Sequence, residues 1–231
     1  MQVLPKPQAI EKTLINQDEV LKQFVTRFKK MVKLYVDKSQ KPFNIDAQNE
    51  EVIKFLCLYF ANHKDFETPA ACFKTVPSLR KGIYLCGNVG SGKTLLMKLL
   101  NQALVNFRFR IAYCDEITDG VRKVGVNSLD PYRVAFRQDK NPNDIMFDDF
   151  GLDAKAKYYG DAINPMYDLI IKRHRLFTEN GILTLFTSNL TLQEISEQYD
   201  ERTVSRIMEM CNVIVLGGRA DAADRRKNLI K

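Results

Sequence analysis

The chain has 231 residues, of which 45% are apolar and 27% charged, and its formal net charge is +7. This length and composition predict one large globular domain, or one domain with a small extension. No apolar run is long enough for a membrane-spanning helix and the N-terminus lacks a signal-peptide pattern, so we expect a cytoplasmic protein with no membrane partner. The positive charge favours a polyanionic partner, nucleic acid first, although a basic soluble protein without such a partner fits it as well.

The cysteines and histidines form no metal-binding or disulfide pattern. Five cysteines occur singly, with no CxxC pair, and the two histidines, His63 and His174, are far apart. An odd cysteine count without a signal peptide indicates reduced thiols. We interpret the cysteines as small core residues and expect no zinc site.

The first predicted helix follows Asn16-Gln17-Asp18-Glu19, which resembles a capping box. Apolar residues recur at helical spacing from Val20 to Tyr35, and basic residues occupy the other side. This basic face is either simply solvated or a docking surface for a partner or for DNA. The polar stretch 37–46 contains a proline and predicts a linker before a second helix, whose apolar face includes Val52.

From Gly82 onwards the pattern becomes that of an α/β fold. Short apolar runs predict five buried strands, at 82–86, 110–114, 144–148, 182–187 and 212–216. Helical patterns separate these runs, which implies right-handed crossovers in a mostly parallel sheet. The expected architecture is therefore three-layered, with a central five-stranded sheet between helices.

The segment Gly87-Asn88-Val89-Gly90-Ser91-Gly92-Lys93-Thr94, which we call the phosphate loop, fits the pattern G-x-x-x-x-G-K-T. Glycines are needed because the backbone must wrap a phosphate with several converging N–H groups. Lys93 is expected to reach the β and γ phosphates, and the Thr94 hydroxyl can ligate Mg²⁺. An apolar run precedes the loop and a helical pattern follows it, as this motif requires. The sequence therefore predicts that Gly87–Thr94 binds ATP together with Mg²⁺.

Two adjacent acids, Asp148 and Asp149, end the apolar run that begins at Ile145. In a phosphate-loop fold, the acid at the end of a neighbouring strand faces the Mg²⁺ held by Thr94, so we assign Asp148 to the metal. Asp149 is one residue further on, where it can orient or deprotonate a water that attacks the γ phosphate. A Glu is more usual at this second position in related ATPases, so the shorter Asp is compatible with slow hydrolysis. The alternative interpretation is an acidic turn after a strand.

The predicted strand in GILTLFTSNL (181–190) ends in Thr187-Ser188-Asn189, and the polar amide of Asn189 needs a partner there. If this strand lies between the strand before the phosphate loop and the strand that ends at Asp148, Asn189 can position the attacking water. Such an extra central strand is typical of hydrolases and not of nucleotide kinases. Alternatively, Asn189 is a polar cap for the helix predicted after it.

Two arginines, Arg202 and Arg206, are four residues apart and share one face of a predicted helix. In a ring or filament of such domains, one of them can reach the neighbouring subunit's γ phosphate as an arginine finger, and we favour Arg206. The alternative is a surface ion pair with Glu201 or Glu209.

Several segments taken together resemble the DnaC/IstB group of AAA+ ATPases, which includes helicase loaders and helper ATPases of transposition. The resemblance extends over about residues 43–218. It is carried by PFNIDAQNEEVIKFLCLYF (42–60), GIYLCGNVGSGKTLLMKLL (82–100), DIMFDDFG (144–151), TLFTSNL (184–190) and ERTVSRIMEM (201–210).

This resemblance implies an ATPase that uses Mg²⁺, assembles head to tail into a ring or filament, and grips single-stranded DNA. It also implies a replicative helicase or a transposase as the partner that the N-terminal segment contacts. Carried over to this sequence, it assigns Lys93 and Thr94 to phosphate and metal, Asp148 to metal, and the catalytic roles to Asp149, Asn189 and Arg206.

The resemblance also suggests how the chain is organised. We expect a helical partner-binding extension at 1–42 and an AAA+ domain at 43–231. The extension is shorter than a full helicase-binding domain and contains no zinc ligands. The tail after Gly218 is too short for the helical lid that commonly follows an AAA+ core, although Arg219, Arg225 or Arg226 could contact nucleotide.

Two further basic stretches have more than one interpretation. Residues 126–143 form either an ordinary connection or a DNA-facing loop, whose contact residues would be Tyr132, Arg133, Phe136, Arg137 and Lys140. The cluster at 172–175, Lys-Arg-His-Arg, would contact DNA phosphate, a neighbour's nucleotide or the C-terminal dipole of its helix.

Three functions fit these features. The first is a DnaC-like helicase loader that hydrolyses ATP and assembles on single-stranded DNA in replication. The second is an IstB-like regulator of transposition, and the third is a DNA-binding adaptor that uses ATP as an assembly switch with little hydrolysis. A small-molecule kinase is disfavoured because the Asp148-Asp149 pair and Asn189 imply water activation.

Overall fold

Five parallel strands form the centre of the structure, a computed structural model that describes residues 16–105, 108–151, 156–158 and 161–217. The strands within these ranges are β1 (Gly82–Gly87), β2 (Arg110–Tyr113), β3 (Ile145–Phe150), β4 (Ala156–Tyr158), β5 (Asp161–Ile163), β6 (Thr184–Ser188) and β7 (Cys211–Leu216). The sheet order is β2-β3-β6-β1-β7, and every neighbouring pair is parallel. The five predicted strands and the parallel α/β fold are thereby confirmed. The short antiparallel pair β4-β5 was not predicted.

Helices cover both faces of the sheet. The described residues contain α1 (Gln17–Ser39), α2 (Glu50–Phe60), α3 (Lys93–Ala103), α4 (Cys114–Val124), α5 (Pro165–Asn180), α6 (Leu192–Gln198) and α7 (Glu201–Met210). Short 3₁₀ turns lie at Lys64–Glu67 and Val126–Tyr132. No helix within the described ranges is long and apolar enough to cross a membrane.

The alternation of side chains along each strand divides the apolar core into two layers. Ile83 and Leu85 of β1 point to one face, where they pack with residues of α1, α2 and α3. Tyr84 and Cys86 point to the other face, towards α4, α5, α6 and α7. The chain therefore has the predicted three-layer architecture.

Helix α1 is an integral part of the first layer. Asn16 caps its N-terminus through hydrogen bonds to two backbone N–H groups, and Phe24 and Phe28 are buried against the core. Arg27 donates a hydrogen bond of 2.9 Å to the Ala103 carbonyl at the C-terminal end of α3. The predicted linker begins later than expected, because the helix continues to Ser39. Whether residues 1–42 contact a partner remains a prediction, and residues 1–15 lie outside the described ranges.

The basic cluster 172–175 lies within α5, and its most buried member, Arg173, is structural. The Arg173 guanidinium is fully buried and donates to Thr184 Oγ1 at 2.9 Å and to the backbone carbonyls of Asn143 and Leu183. Burial lowers the pKa of Arg173 to about 10. Arg173 therefore ties α5 to the ends of two strands, and its interpretation as a contact for DNA, for nucleotide or for the helix dipole is wrong. The next two residues of the cluster contact glutamates: His174 contacts Glu209 on α7, and Arg175 contacts Glu179 on α5.

Two residues of the proposed DNA-facing stretch 126–143 also make internal contacts. Tyr132 packs against Phe147 of β3, and the Arg110 guanidinium lies 5.5 Å from its ring centroid. Arg133 forms ion pairs with Asp130 and Asp168. These contacts favour an ordinary connection for this part of the stretch.

Candidate nucleotide-binding site

The phosphate loop leaves the sheet at the C-terminal end of β1. At Gly87 a Cβ atom would lie 2.3 Å from the Leu216 carbonyl oxygen, so only glycine allows β1 and β7 to approach this closely. Gly90 and Gly92 have φ angles of +78° and +91°, a region that favours glycine. Helix α3 begins at Lys93, directly after the loop. The sequence therefore folds into the strand–loop–helix arrangement that the motif requires.

Lys93 connects this loop to the neighbouring strand. It is 4% exposed, and its ammonium group donates hydrogen bonds to the Gly87 carbonyl at 2.8 Å and the Asn88 carbonyl at 3.0 Å. It also lies 2.8 Å from Asn189 Oδ1, just beyond the end of β6. Lys93 and Asn189, which are 96 residues apart in sequence, therefore meet at one edge of the sheet.

Asp148 and Thr94 meet at the same edge. Asp148 is 2% exposed, and its Oδ1 accepts a hydrogen bond of 2.9 Å from the Thr94 hydroxyl. The same oxygen accepts a second hydrogen bond, of 2.5 Å, from the hydroxyl of the buried Thr187 on β6. The two predicted metal residues are thus in direct contact, although their sequence positions are 54 apart.

A β-bulge sends the side chains of the two acids in different directions. The pairing of β3 with β6 shifts between Phe147 and Phe150, where β3 has one residue more than its partner strand. Asp149 lies in this bulge with a φ angle of +56°. Its side chain is exposed, whereas that of Asp148 is buried. Its backbone N–H donates to Thr187 Oγ1 at 3.0 Å. Bulges commonly re-aim a side chain next to a functional site, and this one directs Asp149 into the pocket that the phosphate loop lines.

Thr187 is the residue whose importance the sequence interpretation missed. Its single hydroxyl accepts from the Asp149 N–H and donates to the Asp148 carboxylate. The signal was present in the polar run Thr187-Ser188-Asn189, of which only Asn189 was assigned a role. A hydroxyl-bearing residue at a fully buried position requires hydrogen-bond partners, and this requirement could have identified it.

The strand order satisfies the condition set for Asn189, because β6 lies between β3 and β1. The alternative role as a helix cap is excluded, because Thr191 is the N-cap of α6 and forms a capping box with Glu194. Asn189 is instead among the residues that line the same pocket as Lys93 and Asp149.

Arg206 lies apart from this pocket. It belongs to α7, in the second layer of helices, and does not line the pocket. Its Nη1 atom is enclosed without a hydrogen-bond partner among the described residues. The surface ion pairs considered for it, with Glu201 or Glu209, do not occur there, and Glu209 contacts His174 instead. Arg202 on the same helix is exposed, so the structure does not decide between the two arginines as a finger.

The pocket continues beyond the phosphate loop into a region that the sequence interpretation treated only as a linker. Its volume is about 850 Å³, and one wall is formed by Tyr35, Lys41 to Asn44, Asp46, Asn49 and Ile53. Asn49 holds this wall in shape, since its Oδ1 accepts from the Asp46 N–H and its Nδ2 donates to the Asn44 carbonyl. Phe43 packs edge-to-face on Phe28 of α1. The segment 41–49 is therefore part of the pocket.

The residues at this edge fit a Mg²⁺ ion and a nucleoside triphosphate. Thr94 and Asp148 supply hard oxygen donors, and Mg²⁺ in phosphate-transfer sites is commonly held by one or two protein oxygens together with phosphate oxygens. Lys93 and the positive-φ glycines provide a cation and a backbone open to an anion.

Fold and loop together define an α/β protein of the P-loop NTPase type. No family model and no curated protein sequence matches the chain. Similar solved structures include DnaI, which is 21% identical with a TM-score of 0.53 and aligns over 81% of this chain and 89% of that chain. The DnaC helicase loader is 16% identical with a TM-score of 0.51, over 76% and 93% of the two chains.

A primosome component from Streptococcus pyogenes serotype M3 is also similar in structure. It is 16% identical to this chain with a TM-score of 0.52, over 74% of this chain and 80% of that chain. These likenesses show that the chain has the fold that the resemblance to the DnaC/IstB group predicted.

Proposed function

We propose that this protein binds and hydrolyses ATP with Mg²⁺ and acts in DNA replication as a DnaC-like helicase loader that assembles on single-stranded DNA. The observation that carries the proposal is a pair of direct hydrogen bonds at the carboxyl edge of the sheet. Asn189 contacts Lys93, and Thr94 contacts Asp148. Four residues from three separate motifs therefore meet where a phosphate-loop ATPase has its reacting phosphate.

The phosphate loop holds the triphosphate. Its backbone N–H groups and the N-terminus of α3 attract the phosphate oxygens, and the Lys93 ammonium neutralises their charge. The wall formed by segment 41–49 encloses the base, with Tyr35, Phe43 and Ile53 as its apolar surfaces. A pocket of this size accommodates a nucleotide.

Thr94 and Asp148 hold the magnesium ion. When bound, the metal supplies positive charge that offsets the charge developing on the phosphate oxygens. Thr187 keeps the Asp148 carboxylate in position, because its hydroxyl is bonded to that group inside the core. A partner of this kind orients a metal ligand without contacting the metal.

Asp149 accepts a proton from the attacking water. Its placement in the bulge, held by the N–H bond to Thr187, separates it from Asp148 and turns its side chain towards the pocket. Asn189 orients the same water through its amide. Lys93 and Asn189 are in contact, which places the Asn189 amide beside the cation of the phosphate loop.

A second copy of the chain completes the site. Arg206 lies on α7 outside its own pocket and is only partly buried, which supports a role as a finger towards a neighbouring subunit. Hydrolysis then depends on assembly, because each site needs an arginine from the next subunit in a ring or filament. Single-stranded DNA promotes that assembly.

The replicative helicase is the proposed partner. The fold likeness to the DnaC helicase loader and to DnaI supports it. The test is a loading assay with a purified replicative helicase from the same source and a circular single-stranded DNA. We expect ATP-dependent transfer of helicase to DNA by the wild type and none by Lys93→Ala. Binding to a transposase, with no effect on the helicase, would favour the transposition regulator instead.

A further inference from the structure

The solvent side of α1 carries a concentrated row of lysines. Four lysines are exposed, Lys22, Lys29, Lys30 and Lys33. The opposite side of the helix is buried through Phe24 and Phe28. At 3.6 residues per turn the four lysines lie within an arc of about 100°, and Lys22 and Lys33 are about 16 Å apart along the helix axis. We call these four residues the lysine face.

The charge of this face is not neutralised locally. None of its lysines forms an ion pair with an acid in the described part of the chain, where Asp18 of α1 contacts His63 instead. The residues between the lysines on the same side, Gln23 and Thr26, are neutral and exposed. The acids Glu19 and Asp37 lie at the two ends of the row. The centre of the face is therefore a compact region of positive charge.

We propose that the lysine face binds the phosphate backbone of double-stranded DNA. A duplex is chosen over a single strand for two reasons. The charge density of a duplex is higher than that of a single strand, at about one charge per 1.7 Å of helix axis. Single-strand binding also draws on aromatic platforms for the bases, and the aromatic residues of α1 are occupied elsewhere: Phe24 and Phe28 are buried, and Tyr35 lines the nucleotide pocket.

This inference goes beyond the proposed function, in which the chain assembles on a single strand. The lysine face lies on the outer side of α1, which itself covers α3. Contacts of this kind carry no sequence information, since lysines meet only phosphates.

The test measures anisotropy of a labelled mixed-sequence duplex of about 20 base pairs and of one of its strands, over a range of salt concentrations. The variant is Lys29→Gln with Lys30→Gln and Lys33→Gln. The control is Lys64→Gln with Lys74→Gln and Lys123→Gln, which removes the same charge from exposed positions outside α1. We expect the variant to lower the magnitude of the salt slope for duplex by about three and to weaken binding about 100-fold at 0.1 M salt. The control should bind like the wild type.

Four results would overturn the inference. The first two are unchanged duplex binding by the variant and an equal loss of binding in the control. The third is single-strand binding that is as tight as duplex binding and is weakened as much by the variant. The fourth is no duplex binding by the wild type even at low salt. The last result would point to an acidic protein as the occupant of the face. ATP turnover without DNA, measured on all three proteins, should be equal, so a failure here is distinguishable from a failure of the proposed ATPase.

Discussion

The hydroxyl of Thr187 lies 2.5 Å from Asp148 Oδ1, and it also accepts a hydrogen bond from the backbone N–H of Asp149. One buried side chain of β6 thus holds both acids at the end of β3. Asp148 stays buried beside Thr94. The hydrogen bond from the Asp149 N–H to Thr187 holds the bulge that exposes Asp149. In this account, the different roles of two adjacent aspartates depend on a third residue about forty positions later in the sequence.

Replacing Thr187 by valine should therefore impair the site while leaving its shape nearly unchanged. We expect Thr187→Val to lower turnover and Mg²⁺ affinity by about 10- to 100-fold, because the Asp148 carboxylate loses the partner that orients it. Thr187→Ser keeps the hydroxyl and should recover most of both. The measurement is turnover against Mg²⁺ concentration, together with metal binding in the presence of a non-hydrolysable ATP analogue. A serine variant as impaired as the valine variant, with both folded, would show that the methyl group matters and the hydroxyl does not.

Asp149→Asn should separate binding from hydrolysis. An amide cannot accept the proton of the attacking water, so we expect turnover to fall by 100-fold or more while the affinity for ATP stays within a few-fold of wild type. The check is equilibrium binding of ATP beside steady-state turnover. Unchanged turnover would remove Asp149 from the mechanism and leave the acidic-turn interpretation in its place.

Lys93→Ala should abolish nucleotide binding, because the phosphate loop loses its one side-chain cation. A matched control is Lys98→Ala, five residues later on α3, where the ammonium lies 5.1 Å from the Tyr113 ring centroid. We expect the control to bind ATP normally. Calorimetric titration of both variants with ATP and Mg²⁺ measures the difference, and equal affinities for the two would contradict the assignment of the loop.

Arg206→Ala should lower turnover by three or more orders of magnitude if the arginine acts on a neighbour's phosphate. Mixing this variant with Asp149→Asn should restore part of the activity, because some interfaces then combine an intact Asp149 with an intact Arg206. Arg202→Ala, on the same helix, is the control and should remain active. Absence of rescue in mixtures of folded, assembling subunits would remove Arg206 as a trans-acting finger, and a loss confined to Arg202→Ala would transfer the role to that residue.

Phe43→Ala tests the wall of the pocket. Removing an apolar surface of this size should weaken ATP binding about 10-fold, with turnover at saturating ATP largely retained. Phe136→Ala removes an exposed aromatic residue outside the pocket and serves as control. The two variants are compared by the ATP dependence of turnover. If Phe43→Ala and Phe136→Ala had the same KM for ATP, segment 41–49 would enclose space that the base does not occupy.

The sequence was sufficient for the fold because its strongest signals are local. Buried strands such as 82–87 appear as short apolar runs. The phosphate loop is a contiguous motif, and its glycines are required by the positive φ angles of the backbone there. Crossover rules then restrict the topology to a parallel sheet. The position of Asn189 beside the loop followed from one assumption about strand order, which the structure bears out.

The parts that could not be predicted depend on contacts between distant segments. The bulge at Asp149 arises from pairing with Thr187, and nothing in residues 144–151 alone indicates an extra residue in the register. Segment 41–49 has the composition of a linker, and only its hydrogen bonds and its packing on α1 make it a wall of the pocket. Arg173 stood in a run of basic residues that looked solvent-facing, yet its partners are carbonyls and a hydroxyl on other elements.

The most direct test of the account is steady-state ATP turnover per subunit as a function of protein concentration, with and without single-stranded DNA at fixed salt. We predict Mg²⁺-dependent turnover that rises with concentration and rises further with DNA, because each site is completed by a neighbouring subunit. A rate per subunit that is independent of both would contradict the shared site. Bound ATP without any turnover would contradict hydrolysis itself and make the chain an ATP-switched adaptor.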